Sequence, residues 1–333
     1  MKIKTVARVM IEGYQGFEYC PGYEFVYDPS CTDYDWLIVY DEMPSGNVGT
    51  FKNGCEELKC PKECTILATT EPTSIKNYSR AYTRQFGHLL TNRPFEAEKH
   101  PNYHLGRGYY FWFIGRDYRE YDNLVLPPKS RLISVISSSK KMAHTKHAAR
   151  YELANQLSQM IDGMDWYGKG IKPFEKKYEV LEPYKYHVTI ENHIGEHHWS
   201  EKLADAFLAE CLPFYAGDPI VDEVLPKESF IPIPIDDPKA AAEIIKSAIA
   251  NNEYEKRRDA VLEAKRLILE RYNFFAQVIE VIEKNKNQKI TPVEAKRPIR
   301  IYERKALRKR NIFVALSDGY SHLKDDLRRI FKR

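Results

Sequence analysis

The sequence has no uninterrupted apolar run near the roughly 18 residues that a membrane-crossing helix needs, which speaks against an integral membrane protein. Cysteine is scarce, with six in 333 residues. Three of them, Cys55, Cys60 and Cys64, lie close together, but no C-x2-C pair or matching second pair accompanies them. The spacing therefore fits neither a zinc ribbon nor a disulfide framework, and reduced thiols of a cytoplasmic protein are the expectation. There is no internal repeat and no low-complexity segment, which excludes solenoids and linker-like chains. The opening MKIKTVARVMIEGYQG has a basic tip, but Arg8 and Glu12 interrupt it. It reads as a first strand rather than a signal peptide.

What is present is a globular composition, 43% apolar and 29% charged. At this length two domains are expected, by the rule of roughly 150 residues each. The net charge of +4 conceals an asymmetry: residues 294–333 hold 13 Lys/Arg against 5 Asp/Glu, so the preceding body is mildly acidic. The tail is basic and amphipathic. Phe313, Leu316, Tyr320, Leu323 and Leu327 recur every three to four residues, with Lys324, Arg328 and Arg329 between them.

The first third reads as short strands, Val6–Ile11, Asp35–Tyr40, Thr65–Thr70 and His88–Thr91, set among turn residues. The aromatic stretch Pro101–Trp112 can be either core or a platform for a sugar ring. The double proline in LVLPPKS, residues 124–130, reads as a linker. Expected domains are therefore 1–126 and 130–290, followed by the tail 294–333. In the second half, Leu132–Ile136 predicts a buried strand and Leu153, Leu157 and Ile161 a helix from about Ala148. A strand over Tyr186–Ile190, a helix from Glu201, a strand over Phe214–Ala216 and a helix after Asp237–Pro238 complete an alternation that predicts parallel α/β units. Asn252–Lys286 reads as two helices.

The most informative stretch is residues 184–219. A strand ends at Glu191–Asn192, seven loop residues follow, and Ser200 is placed to cap a helix whose buried face is Leu203, Ala206 and Phe207. The first turn of that helix offers unpaired backbone N–H groups and a positive dipole end, and Lys202 adds a full charge. Such a start suits a diphosphate at the carboxyl end of a parallel sheet. Glu201 and Lys202 can equally be solvated residues of an ordinary helix start.

This stretch resembles the signature of the family 10 glycosyltransferases, the α-1,3/α-1,4-fucosyltransferases. The elements that carry the resemblance are Glu191–Asn192, Ser200–Glu201–Lys202, the turn Pro213–Phe214–Tyr215–Ala216–Gly217, and Pro226 through Ser229–Phe230. Upstream, the Ser-rich loop with Ser137 and Ser138 followed by Arg150 on a helix also fits, as does ILATTEPTSI, where Glu71 follows a strand. The family often has a tyrosine where this chain has His198, and an asparagine where Pro72 follows Glu71. The resemblance covers residues 131–235 well and the N-terminal half loosely.

The resemblance implies an α/β fold of GT-B type, two Rossmann-like domains facing a cleft, with a helical basic tail. It implies an inverting enzyme that moves L-fucose from GDP-β-L-fucose to an acceptor glycan hydroxyl. Glu71 would be the base; Arg150 and Lys202 would hold the diphosphate; Asn192 would contact the ribose and Glu201 the fucose or ring region. Ser137, Ser138 and His198 would complete the donor site. No metal is expected: His193 and His197 are four apart but in a loop, and Asp33–Tyr34–Asp35 precedes a strand instead of ending one. Another GDP-sugar or nucleotide-sugar donor is the alternative. A nucleic-acid binder acting through the tail is a remote one, against which the acidic body and the lack of any RNA-binding signature argue. Expected partners are a GDP-sugar, an acceptor oligosaccharide or glycoconjugate, and an anionic membrane surface touched by the tail, with the enzyme cytoplasmic and peripheral to the inner face; the alternative for the tail is a final helix packed across the N-terminal domain.

Overall fold

The computed structural model describes residues 1–8, 21–72, 75–94, 100–122, 124–139, 146–286 and 298–320. The chain divides into two compact units: Met1–Gly106 with Val278–Arg333, and Arg107–Gln277.

The first unit is built on a six-stranded sheet. Its strands are β1 (Lys2–Ala7), β2 (Glu24–Val26), β3 (Trp36–Tyr40), β5 (Thr65–Ala68), β6 (His88–Thr91) and β7 (Tyr103–Leu105), in the order β2-β1-β3-β5-β6-β7. Every pairing is parallel. The central strands WLIVY, TILA and HLLT are buried almost throughout, as strands covered on both faces must be. A short strand β4 (Cys55–Glu57) pairs antiparallel with β13 (Arg300–Tyr302). The first part of the basic tail thus completes a ribbon of this unit. The expected first strand Val6–Ile11 begins earlier, at Lys2, and its residues 9–11 lie outside the described residues.

The second unit carries β8 (Arg131–Ile136), β9 (Met164–Tyr167), β10 (Tyr184–Ile190), β11 (Leu212–Ala216) and β12 (Ile231–Pro232), all parallel, in the order β12-β11-β10-β8-β9. Its helices include α2 (His147–Met160), which follows the first unit's one-turn α1 (Arg80–Thr83) in the chain, then α3 (Glu201–Leu208) and α4 (Pro238–Ala250). Helix α4 starts where Asp237 Oδ1 accepts from Ala240 N at 3.0 Å, with proline in its first turn. Ala241, Ala242, Ile245 and Ala248 form its buried face. The segment after Asn252 holds three helices instead of two: α5 (Glu253–Lys256), α6 (Arg258–Glu270) and α7 (Phe274–Asn285). The division falls after Gly106, some way before the double proline. Tyr109, Tyr110, Phe111 and Trp112 are buried, and Phe111 packs on Phe274 with ring centroids 4.6 Å apart. That stretch is core of the second unit.

His187 on β10 is buried with its Nδ1 2.9 Å from Ser134 Oγ on β8. Burial, aided by Lys177, pushes its pKa down from 6.5 to about 3. The unfolded chain thus binds a proton more readily between those values. This contribution to stability is complete above about pH 6.5 and is lost as pH falls toward 3. His187→Gln is expected to shrink, by several degrees, the drop in melting temperature between pH 7 and 4.5; an unchanged drop would exclude His187 as a source of it.

Candidate active site

In a parallel sheet of this order the strand sequence reverses between β8 and β10. Ligands of open α/β sheets bind in the crevice at the carboxyl ends beside such a point. Arg150 lies there. It sits in the first turn of α2, its N–H donating to Lys146 O at 2.8 Å. Leu153, Ala154 and Leu157 bury the helix behind it. Its guanidinium donates to Asn192 Oδ1 just past β10 and to Ile136 O, at 3.5 Å, at the end of β8. Both acceptors are neutral, and Arg150 Nε is buried with no partner among the described residues. Burial lowers its pKa, with Glu191 and Glu201 opposing the effect. A buried cation held by neutral oxygens at this position is suited to an anion.

The second cation comes from α3. Eight residues make a marginal helix by propensity, so its place depends on packing. Leu203, Phe207 and Leu208 are fully buried, each worth about 1.5–3 kcal/mol. Ser200 caps it, with Lys202 N donating to Ser200 Oγ at 3.4 Å. Glu191, at the end of β10, braces the cap: its carboxylate accepts from Ser200 N at 2.9 Å and from Ser200 Oγ at 2.6 Å. Lys202 Nζ lies 2.9 Å from Glu201 Oε1 and 3.6 Å from Glu191 Oε2. Burial works to raise the Glu201 pKa, but Lys202 and Lys177 outweigh it and bring it down to about 2. Burial likewise opposes the Lys202 charge, and Glu201 and Glu191 overcome it, so that pKa is raised. One turn on, buried Asp205 pairs with Lys177 Nζ at 2.6 Å and accepts from Phe113 N at 3.2 Å. Burial pushes its pKa up to about 6.

Arg150, Asn192, Glu201 and Lys202 are thus brought to one end of one sheet. Ser137 and Ser138 follow β8 beside them. Ser137 N donates to Tyr167 O at 2.9 Å, and Ser137 O accepts from Trp166 Nε1 at 3.0 Å. Gly168, at φ 144°, passes so close to Ser137 O that any side chain would collide with it. His198 is buried, its Nδ1 3.3 Å from Tyr110 OH and its ring edge-on to His193 at 5.4 Å. Glu191, Asp205 and Lys177 went unassigned in the sequence. The Glu191-to-Ser200 spacing could have exposed the first, whereas the Lys177–Asp205 pair has no local signal.

Glu71 belongs to the first unit, in the turn after β5. Thr70 N and Glu71 N approach Tyr78 OH at 3.3 and 3.5 Å, and that hydroxyl donates to the Asp41 carboxylate. Lys76 Nζ lies 2.6 Å from Asp41 and 3.1 Å from Glu42, and Arg304 donates to Glu42 at 3.0 Å. Asp41 and Glu42, also at strand ends, are committed to cations. Asp33 and Asp35 bond Lys2 at the opposite, amino ends of β1 and β3.

Two parallel α/β sheets in successive units give the chain a fold of GT-B type. Residues 126–258 match the family described as "Glycosyltransferase family 10 (fucosyltransferase) C-term". Among solved structures, the fold is similar to "Crystal Structure of alpha1,3-Fucosyltransferase" (14% identity, 86% of this chain and 91% of that one, TM-score 0.51). A structure of alpha1,3-fucosyltransferase with GDP gives 14% identity over 86% and 91%, TM-score 0.49. Anabaena Alr3699/HepE in complex with UDP and glucose gives 9% over 85% and 99%, TM-score 0.47. No curated protein matches the chain significantly.

Proposed function

We propose that this glycosyltransferase is an inverting fucosyltransferase with GDP-β-L-fucose as donor and a glycan hydroxyl as acceptor. The observation that carries the reading is the buried Arg150 guanidinium, held by neutral acceptors beside the capped start of α3 with Lys202. In the reaction Glu71 takes the proton of the acceptor hydroxyl, the acceptor oxygen bonds to C1 of the sugar, and the C1–O bond to GDP breaks on the other face. Charge growing on the diphosphate is stabilised by Arg150, Lys202 and the α3 N–H groups, typically by a few kcal/mol per contact. Asn192 and Glu201 hold the ribose and sugar region, and Ser137, Ser138 and His198 line the donor site. Calorimetry with GDP, UDP and dTDP tests the donor: GDP should bind at least about tenfold tighter, whereas preference for UDP or dTDP would move the enzyme to another nucleotide sugar.

These fixed cations make a metal unnecessary in the proposed reaction. Transfer should persist in excess EDTA, and loss on chelation that manganese restores would contradict it.

We also propose that the end of the tail docks on an anionic membrane surface from the cytoplasm. Residues 312–320 are helical, and Ile312, Phe313, Leu316 and Tyr320 are 63–78% exposed at i, i+1, i+4 and i+8. Lys309 and Arg310 end the preceding helix α8 (Arg304–Arg310), whose Arg308 is paired with the buried Asp318 at 2.6 Å. Cations near such a surface contribute about 1 kcal/mol each. Leu323, Leu327 and the cations among them lie outside the described residues. A chain ending at Asn311, which loses the Arg308–Asp318 pair, should melt only a few degrees below wild type and act on soluble acceptors yet no longer sediment with anionic vesicles. One ending at Arg297 should melt several degrees lower, because it loses β13 and Arg304. Undiminished sedimentation of the 1–311 chain would rule out docking by this helix.

A further inference from the structure

One turn along α3 from Glu201, Asp205 is fully buried and has no part in the reaction proposed above. Its Oδ2 lies 2.6 Å from Lys177 Nζ, and its Oδ1 accepts from Phe113 N at 3.2 Å. Lys177 opens the short turn Lys177–Val180 between β9 and β10. That turn is held from two further sides. Tyr178 N donates to Ile114 O at 2.9 Å, and the Arg116 guanidinium, bonded to Glu182 at 2.6 and 2.9 Å, lies over the Tyr178 ring at 4.1 Å. The Lys177 side chain is only 15% exposed, so its ammonium is fixed by packing as well as by Asp205.

Residues four apart on a helix share a face, with Cβ atoms about 5–6 Å apart. Glu201 and Asp205 are such a pair, and two like charges so placed disfavour each other. Lys177 serves both: it bonds Asp205, and against the upward push of burial Lys202 and then Lys177 bring the Glu201 pKa down. The other cations that act on Glu201 have a second task. Lys202, 2.9 Å from it, and Arg150, whose charge Glu201 supports against burial, are assigned to the diphosphate. A cation shared with a diphosphate neutralises Glu201 less, and that work then falls to Lys177. We propose that Lys177, anchored by Asp205, is a positioning residue that keeps Glu201 ionised and in place while the donor's diphosphate engages Lys202. The inference rests on the GDP-fucose reading above, in which Glu201 faces the sugar. As the C1–O bond breaks, the ring gains positive charge, and a carboxylate held beside it favours that state.

The test measures transfer from GDP-fucose, GDP affinity and melting temperature in the full chain. Lys177→Met should cut kcat by about tenfold while KM for GDP-fucose stays within about threefold and GDP affinity within about twofold. It should also melt several degrees lower, because Asp205 is left buried without its cation. Lys177→Met combined with Asp205→Asn should recover most of the melting temperature and none of the rate. On a Glu201→Gln background, Lys177→Met should cost less than about twofold in kcat, since the group it acts through is gone. Recovery of the rate together with the melting temperature in the Lys177 and Asp205 double variant would make the pair structural and overturn the proposal. A loss of about tenfold from Lys177→Met on the Glu201→Gln background would also overturn it, because Lys177 would then act by another route. Wild-type protein that transfers nothing from GDP-fucose would remove the donor reading and this inference with it. Wild-type transfer that Lys177→Met leaves unchanged would overturn this inference alone.

Discussion

Glu71→Gln is expected to cut fucose transfer by about 10²-fold or more while GDP affinity stays within about twofold, because a general base commonly contributes 10² to 10⁴. Glutamine keeps the shape of the turn after β5 and the approach of its main-chain N–H to Tyr78 OH, so folding should be spared. The competing strand-end acids are poorly suited to the role. Asp41 is engaged by Lys76 and Tyr78, and Glu42 by Lys76 and Arg304. Burial works to raise the Glu42 pKa, but Lys76 and Arg304 outweigh it and lower it, which makes that carboxylate a weaker proton acceptor. Single-turnover rates and calorimetry check the split. If Glu71→Gln turns over near the wild-type rate, the base lies elsewhere and Asp41→Asn is the next variant to measure.

Removal of the two donor-site cations should act on binding instead. Arg150→Ala and Lys202→Ala should each weaken GDP by about tenfold or more, since a charge-assisted hydrogen bond contributes roughly 1.5–3 kcal/mol. The two differ in stability. Arg150 is a buried cation whose acceptors are neutral, so its loss should leave the melting temperature within about 2 °C of wild type, as expected when an underpaired buried charge is removed. Lys202 neutralises Glu201 and faces Glu191, so its loss leaves acids without their cation and should lower the melting temperature by several degrees. Unchanged GDP affinity in both variants would take them out of the site. A large loss of stability in Arg150→Ala would make that arginine a structural residue.

The legible parts of the chain were those fixed by neighbours in sequence. Strands buried on both faces announce themselves as short apolar runs, and β3, β5, β6, β8, β10 and β11 were read within a few residues. The start of α3 was legible through Ser200, and α4 through Asp237 and Pro238. Strand β9 was not, because MDWY is short, carries Asp165 and is only partly buried before Tyr167. Pairing of β13 with β4 was invisible for a different reason: Arg300 meets Glu57 across 243 residues of chain, and no local pattern encodes such a contact. The same holds for Arg304 on Glu42 and Lys177 on Asp205. Glu191 was noticed as part of a motif, yet its work as the brace of the Ser200 cap appears only once the loop between them is folded. The aromatic stretch before Trp112 could be core or sugar platform on composition alone; burial and the packing of Phe111 on Phe274 make Tyr109–Trp112 core, whereas Tyr103 and Leu105 are exposed.

The most direct measurement is transfer of labelled sugar by the full chain to a panel of acceptor oligosaccharides, from GDP-fucose, GDP-mannose and UDP-glucose in parallel without added metal. The account predicts labelled α-fucoside from GDP-fucose, with GDP released in equal amount, and at least about 10²-fold less product from the other two donors. Efficient transfer from UDP-glucose or GDP-mannose with none from GDP-fucose would contradict it.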